Sequence, residues 1–170
     1  MPLLRAVAHG RVELPDMPAE PTLAGFETFI TDIMGIDPLY LPSNSPAIEW
    51  AYANALMIVN PTLALVGVRS PIMTTLYVEA VYNLGGDNLI NYAPDQPGRI
   101  YFADLRRSMN ITSFASGVVQ SASDSTTSDT LAVPEALKNL TISQLQNMKT
   151  PWGRRYLSIA QTYGTMWGVA

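Results

Sequence analysis

The sequence predicts a mainly α fold: a small helical bundle with a protruding β-hairpin or long loop and extended N- and C-terminal arms. Three observations predict it. Apolar residues recur at three- and four-residue intervals through most of 22–109 and again from 150 onward, the spacing that gathers side chains on one helix face. Ser45-Pro46, Ser70-Pro71 and Thr150-Pro151 stand where those runs begin. A hydroxyl there caps free N–H groups, and proline fits the first helical position because its missing N–H has no partner to lose. Between the runs, 111–133 is rich in Ser and Thr, a composition that favours strands and loops over helix.

Taken in order, residues 1–21 hold Pro2, Pro15, Pro18 and Pro21 with little apolar periodicity, which predicts an extended arm. Residues 22–170 form the domain. Leu23, Phe26, Phe29, Ile30 and Ile33 predict a first amphipathic helix over 22–34, stopped by Gly35. After Ser45-Pro46, the broad apolar face of Ile48, Ala51, Tyr52, Ala55, Leu56 and Val59 predicts a second helix that ends near Asn60-Pro61, with a loop beyond it. Ser70-Pro71 opens a third, carrying Met73, Leu76, Tyr77, Ala80, Val81 and Leu84. Gly85-Gly86 is expected to break that helix, leaving 87–92 as a short helical turn. Tyr101, Leu105 and Met109, with Phe102 beside them, suit a short helix over 99–109.

Gly117-Val118-Val119-Gln120 leads into the polar stretch, whose only charges are Asp124 and Asp129. A strand, a long mobile loop and a returning strand over 111–133 are expected, forming a protruding hairpin that is either flexible or paired with a neighbouring subunit. Residues 134–140 suit a helical turn, and Thr141-Ile142-Ser143-Gln144 matches a capping box. The last helix opens at Thr150, with Trp152, Tyr156, Ile159, Ala160, Tyr163 and Trp167 on one side. That side has two possible uses. Trp and Arg are enriched at interface centres, so Trp152, Arg154, Arg155 and Tyr156 suit docking on a partner. Residues four apart on a helix, as Trp152 and Tyr156 are, equally suit the chain's own core.

Composition narrows the function. With 170 residues the chain makes one ordinary domain. Hydrophobic residues reach 48% and charged residues only 14%. A typical domain is about 25% charged, and the deficit points to surface buried against other subunits. A net charge of -4 argues against a general nucleic-acid binder, which needs clustered Lys and Arg, and the basic pairs are Arg106-Arg107 and Arg154-Arg155. The chain has no cysteine, which excludes disulfides, thiolate metal sites and cysteine nucleophiles. The single histidine, His9, lies in the Pro-rich arm without a triad around it. Gly85-Gly86-Asp87-Asn88 lacks the lysine of a phosphate loop, and Asp124 with Asp129 lacks the acidic ladder of a calcium loop. No catalytic, cofactor or metal site is expected, and the chain is expected not to be an enzyme. The uncharged run 50–68 carries Asn54 and Asn60-Pro61, so buried helix plus loop is expected rather than a membrane span.

The order of these parts, together with Thr150-Pro151-Trp152-Gly153-Arg154-Arg155-Tyr156-Leu157, resembles the head-to-tail connector adaptor proteins of tailed bacteriophages, also called head completion proteins. The motif is similar to the Thr-Pro-Tyr-Gly-type start of the last segment in that family, with Trp152 where Tyr is more usual. Gly117-Val118-Val119-Gln120-Ser121 is a weaker match. The resemblance implies a homo-oligomeric, dodecameric ring in the virion at the head-tail junction, joined to a portal protein and to a downstream connector or tail protein. DNA would pass through the channel without sequence-specific binding, and no membrane is involved. It assigns portal contact to Trp152, Arg154, Arg155, Tyr156 and Trp167 within 150–170, and the inter-subunit or channel hairpin to Val118, Gln120, Asp124 and Asp129. A small soluble helical binding or regulatory module is the alternative.

Overall fold

The computed structural model describes residues 20–67, 71–112, 121–124, 127–130 and 141–163, and within them the chain is mainly helical. Helix α1 spans Leu23–Thr28 and runs on as a π-helical turn, Phe29–Ile33. Then come α2 (Pro46–Ile58), α3 (Thr62–Gly67), α4 (Pro71–Tyr92) and α5 (Tyr101–Ser108). Strands β1 (Ser121–Asp124) and β2 (Thr127–Thr130) precede α6 (Ile142–Asn147) and α7 (Pro151–Thr162). Residues 1–19 of the expected arm and the turn expected at 134–140 lie outside the described residues.

Helix α4 is the axis of the fold, with α2, α3 and α7 packed along it. Local chemistry sets the starts of its neighbours. Thr22 accepts from the Gly25 N–H at 3.0 Å to cap α1, and Thr150 accepts from the Gly153 N–H at 2.8 Å to cap α7. Thr141 and Gln144 form the reciprocal capping box of α6. Asp95 caps α5 from outside, accepting from the N–H groups of Phe102 and Ala103 at 2.6 and 3.0 Å. Ser45 precedes Pro46 as expected, but its side chain makes no capping bond to α2. Gly35 takes a φ of +67°, a left-handed conformation that ends the π-helical turn without steric cost.

Three expectations are corrected. Gly85-Gly86 does not break α4, which runs unbroken from Pro71 to Tyr92. The glycines instead make room: a Cβ on Gly85 would stand 2.8 Å from the Phe26 ring, and one on Gly86 would stand 3.0 Å from the Met34 sulfur. The stretch after Pro61 is not a loop but α3, whose first N–H, from Thr62, is taken by Asn60 Oδ1 at 2.9 Å. The hairpin is tighter than expected, because β1 and β2 pair antiparallel with Asp124 opposite Thr127 and only 125–126 between the strands.

Phe26 sits at the centre of the aromatic half of the core, against Tyr52 at 5.8 Å and Tyr82 at 5.7 Å between ring centroids. Polar tips reach partners at the edge: Tyr52 Oη donates to the Pro21 carbonyl at 2.7 Å, which ties the end of the arm to α2. Both arginines of the first basic pair serve local needs. Arg106 donates to the carbonyls of Ile90 and Ala93 at the end of α4, and Arg107 pairs with Asp104 at 2.7 Å. Lys149 donates to the carbonyls of Asn110 and Ile111 at 3.2 and 3.3 Å, beyond the end of α5.

Candidate functional site: an open groove over the central helix

Two hydrogen-bonded pairs fix how α7 lies on α4. Thr150 at its start meets Asp87, and Arg155 Nε meets Glu79 Oε1 at 2.6 Å, so α7 runs antiparallel to α4. Helix α2 also runs antiparallel to it, since Trp50 near its start contacts Tyr92 at the end of α4. The two flanking helices are therefore parallel to one another. A groove of 1210 Å³ lies between them, closed at one end by α6. Trp50, Asn54 and Ile58, four residues apart on α2, line one wall, and Leu157 and Ala160 of α7 line the other.

The rim is unusually apolar for an open surface. Trp50 is 47% exposed, Ile58 53% and Tyr92 58%, and the indole meets the Tyr92 ring edge-on at 5.5 Å. Clustered exposed apolar side chains mark contact surfaces in soluble domains. The floor mixes Leu84 and Leu89 with the amides of Asn88 and Asn91, and its one charged group is Asp87. Asp87 is only 1% exposed and accepts a short hydrogen bond from the Thr150 hydroxyl. Asn147, turned so that its amide nitrogen faces acceptors, donates to the other Asp87 oxygen at 3.1 Å and to the Ser143 carbonyl at 3.2 Å. Burial pushes the Asp87 carboxyl up to about 7, against the opposing pull of the Thr150 and Asn91 side chains. Beside it, Asn88 is 9% exposed and its Nδ2 has no hydrogen-bond partner.

The sequence-predicted contact residues divide. Tyr156 is not presented to a partner: its ring is buried with Leu157 and Ile159 in the core, and burial raises its phenol. This corrects its assignment as a docking anchor. Trp152 is half-buried and packs against the same core. Arg154 and Arg155 are exposed, although each is held within the chain, Arg154 on the Met148 carbonyl at 3.0 Å and Arg155 on Glu79. Trp167, Val118 and Gln120 lie outside the described residues, and Asp124 and Asp129 are placed by strand register alone.

Sequence reasoning missed the groove and the residue that shapes it. A Cβ on Gly153 would overlap the Asn147 carbonyl oxygen and stand 2.7 Å from Asp87 Oδ1, so only glycine lets α7 seat against α6 and α4. The readable signal was an acid, Asp87, set in the apolar face of a helical run. Among the described residues, no cluster of three or more His, Asp or Glu could hold a metal ion.

No protein-family model, curated protein or solved structure matches this chain. Fold and site define a small, mainly helical protein with an open apolar groove over its central helix. No helix among the described residues is long and apolar enough to cross a membrane.

Proposed function

We propose that this chain is a structural virion protein, one subunit of a ring that joins a bacteriophage portal to the tail or to the next connector ring and continues the DNA channel. One observation carries the reading: a chain only 14% charged keeps a large apolar groove open, rimmed by exposed Trp50, Ile58 and Tyr92. A monomer gains nothing by leaving such surface wet, whereas a ring subunit uses it. Rings close through heterologous contacts, in which one patch of each copy meets a different patch of the next. The order of elements and the Thr150-Pro151-Trp152-Gly153-Arg154-Arg155 motif, similar to that of connector adaptors, supply the portal as template. With Tyr156 in the core, portal contact in this reading falls to the outer edge of Trp152 and to Arg154 and Arg155. The net charge of -4 suits a channel wall that does not hold DNA.

Mass photometry with and without a portal ring tests the reading. The expected result is a monomer or weak oligomer alone and a discrete ring on the portal; a tight monomer in both conditions refutes it. The alternative, a helical binding or regulatory module, is favoured by one observation, the inward packing of Tyr156, Leu157 and Ile159. It predicts that tight monomer.

A further inference from the structure

We propose that the groove between α2 and α7 is the seat of segment 164–170 from a neighbouring copy of this chain. The inference deepens the ring reading and rests on it only for the identity of the neighbour as another ring subunit. Four observations on the molecule support that occupant.

First, the chemistry matches. The segment reads Gly164-Thr165-Met166-Trp167-Gly168-Val169-Ala170 and carries no charged side chain. The groove offers apolar walls, and its one acid, Asp87, is bonded to Thr150 and lies below the surface, so it asks for no cation. The rings of Trp50 and Tyr92, already edge-on to one another, leave faces and edges for an indole or a thioether.

Second, the length matches. The wall from Trp50 to Ile58 rises about 12 Å at about 1.5 Å per residue. Residues 164–170 reach about 20 Å when extended at about 3.3 Å each, enough to run the whole groove with slack for the crossing.

Third, a polar group on the floor lacks its partner. Asn88 Nδ2 is a buried donor without an acceptor, while the neighbouring amides are used: Asn91 Nδ2 donates to the Asp87 carbonyl at 2.8 Å and Gln146 donates to Asn91 Oδ1 at 3.2 Å. A turn of the Asn88 side chain brings this donor to the groove surface, where a guest main chain supplies carbonyl oxygens at regular spacing.

Fourth, direction favours a neighbour. Helix α7 is itself a wall of the groove and leaves it at the Ile58 end, so the chain's own segment would have to reverse at once after Tyr163 to enter. A segment arriving from another copy enters along the axis. Each copy then gives a tail and receives one, the donor-acceptor arrangement that closes a ring.

The absence of native cysteine makes the test clean. Asn54→Cys on the wall is mixed with a second full-length chain carrying Met166→Cys or Val169→Cys, and the mixture is oxidised at assembly concentration in the presence and absence of portal. A disulfide requires Cα atoms within about 7 Å, so it reports seating rather than collision. The expected result is a disulfide-linked dimer, several-fold above a Thr28→Cys control on α1 and suppressed by excess synthetic peptide of sequence 164–170. No crosslink above control overturns the inference. A doubly substituted chain, Asn54→Cys with Met166→Cys, that closes only within itself when diluted or concentrated also overturns it, because the segment then belongs to its own copy. The ring is scored separately by particle size. Rings on the portal without crosslinks sink this inference and leave the adaptor reading standing; crosslinks between copies that never form rings do the reverse.

Discussion

Replacing Asp87 with Asn removes the one buried charge of the groove floor and should change how stability depends on pH. Burial raises the carboxyl from 3.8 to about 7 in the folded chain. The folded state therefore favours the protonated form. Below pH 4 both states are protonated and the contribution is fully present; it is lost as pH rises toward 7, because folding must then either hold a proton or bury a charge. A shift of about three units corresponds to on the order of 4 kcal/mol, at about 1.4 kcal/mol per pH unit inside the window. Among the described residues charged groups do not offset it: the groups that pull it down are the Thr150 hydroxyl and the Asn91 amide, Asn147 donates to its other oxygen, and the Glu79–Arg155 pair lies two turns along α4. Asn is nearly the same size, carries no proton to lose, and can still accept from Thr150. Urea unfolding followed by circular dichroism from pH 4 to 8 compares the two proteins. The wild type should lose stability relative to Asp87→Asn across pH 4–7 and run parallel to it above. A difference that stays constant over the whole range would show that Asp87 is not the titrating group and refute the burial argument.

Three further outcomes follow from particular contacts. Gly153→Ala should destabilise by about 3 kcal/mol in thermal or urea unfolding, because the added methyl meets a backbone carbonyl that cannot swing aside; a neutral effect would mean α7 does not seat as described. Gly85→Ala tests sign: in an exposed helix interior the change stabilises by about 1 kcal/mol, but here the Cβ meets the Phe26 ring, so a loss of about 1–3 kcal/mol is expected and a gain would refute the close packing. Trp50→Ala should lower stability by about 2 kcal/mol, since about half of the indole is already in water, while weakening self-association measurably; global unfolding of the variant would reassign Trp50 to the core.

What the sequence made legible was what neighbours along the chain decide. Thr141 with Gln144, and Thr150 with Pro151, mark helix starts through bonds that span three residues, and the structure makes each of those bonds, whereas Ser45 before Pro46 makes none. The mainly helical class follows from spacing alone. Gly85-Gly86 misleads because helix propensity is a local quantity, whereas the gain from bringing Phe26 against α4 is tertiary. Pro61 misleads because proline ends one helix and opens the next equally well, and the next, α3, has only one turn of pattern to announce it. Tyr156 shows a deeper limit: periodicity says that one face of α7 is covered, not by whom, and α4 of the same chain covers it. Beyond Asp87 in its apolar run, the groove was not legible, since its walls and floor come from α2, α4, α6 and α7, far apart in sequence.

Small residues explain why those walls stand apart. Ala51 and Ala55 are fully buried where α2 meets the core, Ala80 is buried on α4, and Gly153 lets α7 come down onto α6 and α4. Each flanking helix thus completes its own contact with α4 without needing the other, and the core is closed beneath the groove rather than through it. The strip of α4 left between them then sets the amides of Asn88 and Asn91 beside Leu84 and Leu89, where a core strip would be apolar throughout. Asn91 is satisfied within the chain, so it contributes shape at little cost; Asn88 is not, and an unpaired buried amide donor costs about 1–3 kcal/mol. That cost is recovered when an acceptor arrives, and it is not recovered by apolar contact alone. An oily surface patch would accept many partners equally. A groove with one unmet donor on its floor discriminates in favour of guests that bring a carbonyl to that point, which turns general stickiness into a preference for a main chain laid along the groove.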